Sequence, residues 1–255
     1  MTRVILAHIS DLHIGQDHGD GGARAQRRTE RVLGFLNGLA GDVDAILVTG
    51  DLTEHGRPEE YRAAAELLAG SRFPVLTCPG NHDNRAAYQQ EFLEEESGDG
   101  TQPVNRCHQL PGATVAMCDS TIPGRDDGLL DDTTLVWLDK ILSDAPRDEP
   151  ALVCFHHPPV ELHIPFVDGI RQRGEERLAE VLRGHENVVA VLCGHAHTAA
   201  TSTFAGRPLV VAPGVVSTVV LPFESSTTID YQLRPAVAFH LLDDDRRLIT
   251  HFRSL

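Results

Sequence analysis

Short apolar runs that alternate with amphipathic stretches most constrain what this 255-residue chain can fold into. The runs are rich in β-branched residues and predict strands, and several are apolar throughout, which is typical of strands covered on both faces. Helical spacing of apolar residues predicts helices over residues 27–41, 57–70, 133–145 and 171–184. This alternation predicts an α/β fold. The predicted strands are Val4–Ile9, Ala45–Thr49, Val75–Cys78, Thr114–Cys118, Ala151–Phe155, Val188–Cys193, Leu209–Ala212, Ala236–Leu242 and Leu248–Phe252.

Glycine and proline mark the ends of the predicted helices. Pro58 stands where a helix begins, and Gly70 and Gly41 are predicted to end the helices before them. From about Leu209 onward no strong helical pattern separates the apolar runs, so hairpins at a sheet edge are expected. No repeat, low-complexity segment or convincing linker interrupts the chain, and residues 1–255 are predicted to form one domain.

Charge and cysteine usage limit the partners and the compartment. The formal net charge is -15, which disfavours long nucleic acids, since their binding depends on Lys and Arg. A small phosphate ester remains compatible with a local positive centre. The N-terminal apolar run is too short for a signal peptide or a membrane span, so no membrane partner is expected. Five scattered cysteines, four of them in or beside apolar runs, predict buried free thiols and a cytoplasmic protein.

Metal-capable side chains follow five of the predicted strands where each strand ends. Because sites in α/β sheets gather at the carboxyl ends of strands, these side chains are expected to converge. Each motif alone has a plainer interpretation, such as a helix cap, a hydrogen-bonded core histidine or an Asx turn, but the five together predict a metal site. Glycines before Asp51, Asn81 and His195 are expected to permit sharp turns and close backbone approach. The clusters are Asp11 and His13; Asp51; Asn81, His82 and Asp83; His156 and His157; and His195 and His197.

The residue types also narrow the choice of ion. Imidazole, carboxylate and amide ligands together suit first-row ions (Fe, Mn, Zn or Co) better than Mg²⁺ or Ca²⁺, which prefer oxygen alone. In chain order the motifs resemble those of the calcineurin-like metallophosphoesterase superfamily, and they span residues 11 to 197. The "FHHPPV" segment and the lack of large insertions resemble its bacterial class III cyclic-nucleotide phosphodiesterases and the related glycerophosphodiesterases. The resemblance implies a four-layer αββα sandwich of two central sheets flanked by helices.

The resemblance further implies a ligand set for two divalent metal ions. Asp11, His13 and His197 would hold one ion, Asn81, His156 and His195 the other, and Asp51 would bridge them. His156 is preferred to His157 because the family's ligand usually comes first in such a doublet, which leaves His157 as a supporting or core group. Two ions that share a bridging water can present hydroxide for attack on phosphorus.

His82 is expected to act without binding metal, by a hydrogen bond to a phosphoryl oxygen or by protonation of the leaving group. For Asp83 two roles stay open, orientation of the His82 ring or capping of the helix that begins near Asn84. His163 and Asp168 lie either at the substrate pocket or on a surface loop.

The expected reaction is hydrolysis of a small phosphodiester. 3′,5′-cAMP is the first choice of substrate and glycerophosphodiesters are the second. A broad phosphomonoesterase or phosphonate-ester hydrolase is a further alternative, and a non-catalytic scaffold is a remote one. The subfamily often dimerises, so a homodimer or higher homo-oligomer is also expected.

Overall fold

The protein is described here by a computed structural model that covers residues 2–96 and 98–255, with side chains from Val4 onward. The strands are β1 Thr2–Ile9, β2 Ala45–Thr49, β3 Val75–Cys78, β4 Arg106–Leu110, β5 Ala113–Met117, β6 Gly128–Leu129, β7 Ala151–Cys154, β8 Gln172–Arg173, β9 Val188–Cys193, β10 Ala200–Phe204, β11 Arg207–Val211, β12 Thr218–Val219, β13 Ile229–Asp230, β14 Ala236–Asp243 and β15 Leu248–Ser254. The helices are α1 Ala23–Asn37, α2 Pro58–Ala69, α3 Arg85–Ala87, α4 Asp132–Asp144, α5 Pro165–Asp168 and α6 Glu175–Arg183, and a π-helical turn spans Tyr88–Phe92.

Two mixed sheets form the centre of the molecule. The first has the order β15-β14-β1-β2-β3. In it β1, β2 and β3 are parallel to one another, β14 is antiparallel to β1, and β15 is antiparallel to β14. The second has the order β10-β11-β9-β7-β5-β4, with a parallel centre and an antiparallel strand at each edge. The terminal hairpin β14–β15 confirms the predicted hairpin at a sheet edge.

The two sheets pack face to face because strand residues alternate between two apolar environments. On β1, Leu6 packs between the sheets, whereas Ile9 packs on the helices at the outer face. The helices α1 and α2 cover the first sheet, and α4 and α6 cover the second. The resulting order of helices, sheet, sheet and helices confirms the predicted four-layer αββα sandwich.

All nine predicted strands are present, and the bounds of β2, β3 and β9 are those predicted. The polar edge strands β4 and β10 were not predicted, because each exposes residues that break the apolar pattern. The prediction that Gly41 ends the first helix is wrong. The helix ends at Asn37, where the N–H of Gly38 closes on the carbonyls of Gly34 and Phe35. The predicted limits of α2, Pro58 and Gly70, are confirmed.

The structure also describes the cysteines and the lengths of the apolar helices. Four of the five cysteines are buried, Cys107 is half-buried, and all five are free thiols, as predicted. Among the residues that the structure describes, no helix is both long and apolar enough to cross a bilayer.

Candidate metal centre

The backbone of the predicted site is in an unusual conformation. Five of the seven predicted metal ligands have left-handed φ angles: Asp11 (58°), His13 (46°), Asp51 (50°), His195 (69°) and His197 (54°). Residues other than glycine adopt this region at a cost, and they keep it where surrounding contacts impose it. Here the N–H of Asp11 donates to the Gly50 carbonyl at 3.1 Å, and that of His13 to the Asp51 carbonyl at 2.9 Å. These bonds connect the turns that follow β1 and β2.

The three glycines predicted to allow crowding all lie against a neighbouring element. Gly50 has a φ of 92°, and a Cβ there would lie 2.4 Å from Nδ1 of His156. A Cβ on Gly80 would lie 2.3 Å from Oδ1 of Asp51, and one on Gly194 would clash with Ser10. Close backbone approach is therefore confirmed at all three positions, and Gly50 also makes a left-handed turn.

One group of side chains forms where the turns after β1, β2 and β9 meet. The ligand atoms of Asp11, His13, Asp51 and His197 all lie within 4.8 Å of one another, and all but His197, whose side chain is 12% exposed, are buried. Nε2 of His197 lies 3.1 Å from Nε2 of His13 and 3.3 Å from Oδ1 of Asp11. Nε2 of His13 lies 3.4 Å from Oδ2 of Asp51. These are the residues assigned above to the first ion, together with the bridging aspartate.

The second group forms around His156, which follows β7. Its Nε2 atom lies 3.1 Å from Oδ1 of Asn81, 3.2 Å from Nδ1 of His195 and 3.3 Å from Oδ2 of Asp51. The Oδ2 atom of Asp51 thus lies between Nε2 of His13 and Nε2 of His156. The structure brings all seven predicted ligand side chains together in two groups that share one carboxylate.

The hydrogen bonds made by the other ring nitrogens show which atoms face the centre. Nδ1 of His13 donates to Oε2 of Glu54 at 2.7 Å, and Nδ1 of His156 donates to the carbonyl of Thr49 at 2.6 Å. In each neutral ring the lone pair is therefore on Nε2, which points at the carboxylate of Asp51. Nδ1 of His197 also has a partner, the hydroxyl of Ser217 at 2.7 Å, which can donate or accept.

Such a convergence of lone pairs and carboxylates fits cations. The buried atoms Oδ1 of Asp11 and Nε2 of His195 make no hydrogen bond within the described chain, which is costly for polar atoms away from water. Imidazole, carboxylate and amide donors match borderline first-row divalent ions. The residues present therefore fit a pair of such ions.

The charges of the site are set by its own neighbours. Burial opposes ionisation of Asp51, but the imidazoles of His156 and His13 hold the pKa of its carboxyl well below the ordinary value. Burial likewise opposes a charge on His156, yet Asp51 raises its pKa to about 9, so a cation that binds the Nε2 atom would displace a proton there. Burial and the neighbouring histidines lower the pKa of His195 well below its ordinary value. Asp51 is therefore ionised at neutral pH and gives the centre negative charge.

His157 is close to the centre, but both of its nitrogens are already used. Nδ1 lies 2.8 Å from Oγ of Ser120, and Nε2 lies 3.1 Å from the carbonyl of Asp126, to which it can only donate. Burial and the adjacent His156 lower its pKa to about 3. No lone pair of this ring is left for an ion, although its atoms lie within 4.8 Å of those of His156 and His195.

His82 stands at the rim of the centre with 37% of its side chain exposed. Its Nδ1 donates to the carbonyl of Glu54 at 2.8 Å, and its ring meets His13 edge-on with 4.7 Å between centroids. Burial favours the neutral ring, but the negative charge of Asp51 and the Glu54 contacts raise its pKa above the ordinary value. The Nε2 atom makes no hydrogen bond to any described residue.

The structure corrects both roles considered for Asp83. The carboxylate does not contact the His82 ring, and the next helix is capped by Asn84, whose side chain accepts from the N–H of Ala87. Asp83 instead accepts from the N–H groups of Leu52 and Thr53 at 3.1 and 3.2 Å. Further donors are the N–H of Gly80 and the hydroxyls of Thr53 and Tyr61. Asp83 therefore clamps the turn after β2 to the turn after β3.

His163 and Asp168, for which a substrate-pocket and a surface-loop position were both open, lie on the loop that contains α5. Asp168 accepts from the N–H of Leu162 at 2.7 Å, which closes this loop, and His163 is exposed with a φ of 59°. Neither is part of the two ligand groups.

Sequence reasoning missed Glu54 and Ser217, which orient His13 and His197. Glu54 follows Asp51 by three residues, so its place in the turn was a usable signal. Ser217 lies in an apolar segment that gave none.

Comparison with known proteins identifies the family of the chain. The family profile described as calcineurin-like phosphoesterase matches residues 5–199, which is more than half of the chain. The chain belongs to the calcineurin-like phosphoesterase family. This confirms the predicted superfamily and the prediction of a metal-dependent phosphoesterase.

Two relatives illustrate the range within this family. The glycerophosphodiester phosphodiesterase GpdQ of Enterobacter lignolyticus is 37% identical over 185 residues, which cover 71% of this chain and 66% of that protein. A probable cyclic nucleotide phosphodiesterase of Rhodococcus erythropolis is 35% identical over 212 residues, which cover 81% of this chain and 69% of that one. The chain thus matches about two thirds of the length of each.

Among solved structures, a dimetal phosphatase from Danio rerio is similar with a TM-score of 0.62 and 15% identity, over 98% of this chain and 99% of that one. GAP50, the anchor in the inner membrane complex of Plasmodium, has a TM-score of 0.63 and 13% identity, over 100% and 85%. At these identities the similarity shows the fold alone, because one fold hosts different functions.

Proposed function

We propose that the protein hydrolyses small phosphodiesters at a pair of divalent metal ions. The observation that carries this proposal is the position of Asp51, whose Oδ2 atom lies 3.4 Å from Nε2 of His13 and 3.3 Å from Nε2 of His156. A carboxylate between two sets of lone-pair donors has the arrangement of a ligand shared by two ions. Phosphoryl transfer needs concentrated positive charge, which a pair of ions held at this buried carboxylate would supply.

Each ion would have its own ligands in addition to Asp51. Asp11, His13 and His197 would hold the first, and Asn81, His156 and His195 the second. Bound there, the ions would acidify a water molecule and neutralise charge on the phosphoryl oxygens. The donor types are compatible with Fe, Mn, Zn or Co.

The residues at the rim would handle the leaving group. His82 donates from Nδ1 to the Glu54 carbonyl, so Nε2 is the atom that would meet substrate. A proton held at Nε2 would pass to the leaving alkoxide or bond a phosphoryl oxygen. Asp83 acts as a positioning residue, because its clamp on Leu52 and Thr53 sets the distance between Asp51 and His82.

Cyclic nucleotides, 3′,5′-cAMP first, are the proposed substrate class, with glycerophosphodiesters second. Support comes from the two relatives with these printed activities, which align over 81% and 71% of the chain. A cavity of about 180 Å³ opens beside Asn81 and is lined by Asn84, Thr121 and Ile122 among others. It offers room for part of an ester group next to the proposed second ion.

The deciding experiment combines metal analysis with turnover. Wild-type protein loaded with Mn²⁺, Zn²⁺ or Fe²⁺ would be assayed on cAMP, a glycerophosphodiester, a phosphonate ester and aryl mono- and diesters. Asn81→Ala should lose activity on the aryl diester, whereas Asn37→Ala, at the end of α1, should retain it. Wild-type activity in metal-loaded Asn81→Ala would contradict the mechanism. Substoichiometric metal in the wild-type protein would favour a non-catalytic scaffold. Cytoplasmic location and homo-oligomerisation stay predictions.

A further inference from the structure

A groove lined with arginines lies on the surface between α1 and the segment that leads into β14. It encloses about 300 Å³, and neither Asp nor Glu is among its lining residues. It gathers five of the 22 basic residues of a chain whose net charge is -15. The arginines are Arg24, Arg27, Arg28, Arg31 and Arg234. We call this feature the arginine groove.

The arrangement follows from spacing along α1. Positions 24, 27, 28 and 31 are related by i, i+3, i+4 and i+7, so the four side chains share one face of the helix. Like charges at this spacing destabilise a helix, and the positive end of the helix dipole adds to the cost. The first turn of α1 contains no acidic residue that would offset it. Helix stability alone therefore does not account for the pattern.

Two of the arginines are used to hold the tertiary structure. Nε of Arg28 donates to the carbonyl of Val215 at 2.7 Å, and Nη2 of Arg24 donates to the carbonyl of Val216 at 2.6 Å. Arg24 also lies over the ring of Tyr231, 4.8 Å from its centroid. Burial and the nearby Arg24 and Arg31 lower the pKa of Arg28 to about 10. The two guanidinium groups at the floor of the groove are thus held by backbone carbonyls, and Asp20 and Asp230 only partly offset the positive charge around them.

The other three arginines have little or no compensation. Arg27 pairs with Asp20 at 3.3 Å, and its side chain is 64% exposed. Arg31 and Arg234 make no hydrogen bond or ion pair with any residue that the structure describes, and both are exposed. An anion seated between them would relieve the repulsion within the groove.

We propose that the arginine groove binds a compact polyphosphate anion, such as inorganic tripolyphosphate or the triphosphate of a nucleotide. Guanidinium groups recognise phosphate oxygens in pairs of parallel hydrogen bonds, and several of them face this space. The small volume and the acidic remainder of the protein select against long polyanions. Tyr231, which lines the groove and packs on His18 with 4.2 Å between ring centroids, adds an aromatic surface.

The groove is separated from the metal centre by residues 215–217, and this decides which variants are informative. Val215 and Val216 donate to the carbonyls of Ser10 and Asp11, and Ser217 contacts His197. Replacing Arg24 or Arg28 would therefore disturb the metal centre through this segment. Arg31 and Arg234 have no such contacts, so Arg31→Gln/Arg234→Gln isolates the groove.

Titration calorimetry with tripolyphosphate and with ATP tests the proposal, with Mg²⁺ present so that neither anion strips ions from the metal centre. The wild-type protein should bind saturably, and the double variant about tenfold or more weakly. A matched variant, Arg177→Gln/Arg253→Gln, removes the same charge outside the groove and should bind like the wild type. Activity on an aryl phosphodiester should be equal in all three proteins, which also shows that they are folded.

The two ligands distinguish the source of the phosphates. Equal affinity for both would assign recognition to the phosphate chain, and tighter binding of ATP would assign a nucleotide; either supports the groove as the site. Absence of saturable binding to the wild-type protein would overturn the proposal. So would equal affinity in Arg31→Gln/Arg234→Gln, or an equal loss in Arg177→Gln/Arg253→Gln.

Discussion

Among the described residues, two groups of buried histidines differ in how the ring nitrogens are used. In the metal centre the lone pairs of several rings point at one another and at carboxylates. In the second group, which we call the inter-sheet pair, His8 on β1 and His240 on β14 lie between the sheets. Nδ1 of His8 lies 3.0 Å from Nε2 of His240. Nε2 of His8 contacts Oγ1 of Thr49, and Nδ1 of His240 contacts Oγ1 of Thr250, each at 2.9 Å. Every ring nitrogen of this pair has a partner.

The two groups of histidines also differ in backbone conformation and in charge. His8 and His240 lie on regular strands, whereas five predicted ligands have left-handed φ angles. Burial lowers the pKa of His240 to about 3 and that of His8 well below its ordinary value, so both are neutral. Buried histidines are therefore not enough to indicate a metal site. Unpartnered polar atoms and strained backbone are what separate the two groups.

The largest expected effect comes from removing the shared carboxylate. Asp51→Asn should lower phosphodiesterase turnover by about 10³-fold or more, since a single preorganised electrostatic contact is worth about 10²–10³. Metal content should fall as well, as measured by elemental analysis of the purified protein. The control is Asp44→Asn at the other end of β2, where Asp44 accepts from the N–H of Ile5. Full metal content and activity in Asp51→Asn would remove the distinction between the two histidine groups.

The next effect concerns His82, which we propose acts beside the ions without binding either of them. His82→Ala should lower kcat roughly 10²-fold, as expected for loss of a proton donor, while both ions stay bound. The control is His185→Ala. His185 lies shortly before β9 and pairs with Asp139 on α4, outside the metal centre. Loss of metal in His82→Ala would make His82 a ligand and would contradict the proposed role.

The inter-sheet pair should affect stability instead of catalysis. His240→Leu leaves Nδ1 of His8 without a partner, so the free energy of unfolding should fall by about 1–3 kcal/mol. Turnover and metal content should not change. His251→Ala, an exposed position on the neighbouring strand β15, should leave stability within about 0.5 kcal/mol. Urea unfolding measures both, and a loss of metal in His240→Leu would show that the two groups are coupled.

The effect that is smallest near neutral pH is a pH dependence of stability. The folded pKa of His240 is about 3, below its unfolded value, so the unfolded chain takes up a proton first as the pH falls. The stabilising contribution is complete above about pH 6.5 and decreases below it, by about 2 kcal/mol at pH 5. The dependence should be shallower in His240→Leu when urea unfolding is repeated across this range. Parallel curves for the two proteins would show that the pair does not stay neutral.

Much of the fold was predictable because each buried strand is specified by residues that are close together in the sequence. The strands β2 and β3 are buried on most positions, so their apolar runs begin and end with the strands themselves. The edge strands β4 and β10 were missed because one face meets solvent. The prediction that Gly41 ends the first helix was wrong because this stretch contains three glycines, Gly34, Gly38 and Gly41. The helix is capped by the second of them, Gly38.

The metal-capable residues were recognisable for a similar reason. Each follows a strand by a few positions, so the apolar run that predicts the strand also shows where the metal-capable residues lie. The role of Asp83 was not recognisable, since its partners Leu52 and Thr53 lie some 30 positions earlier in the chain.

The sequence by itself determined the α/β class and the strand ends that carry the site, and the resemblance of its motifs to a known family implied the seven residues that converge there. Period and spacing along the chain encode the strands and the polar clusters that follow them. Only the tertiary structure decided that Glu54 and Ser217 orient His13 and His197, that the inter-sheet pair is satisfied, and that an arginine groove faces Tyr231. These contacts join residues up to 232 positions apart, and nothing in the local pattern specifies which distant side chains become neighbours.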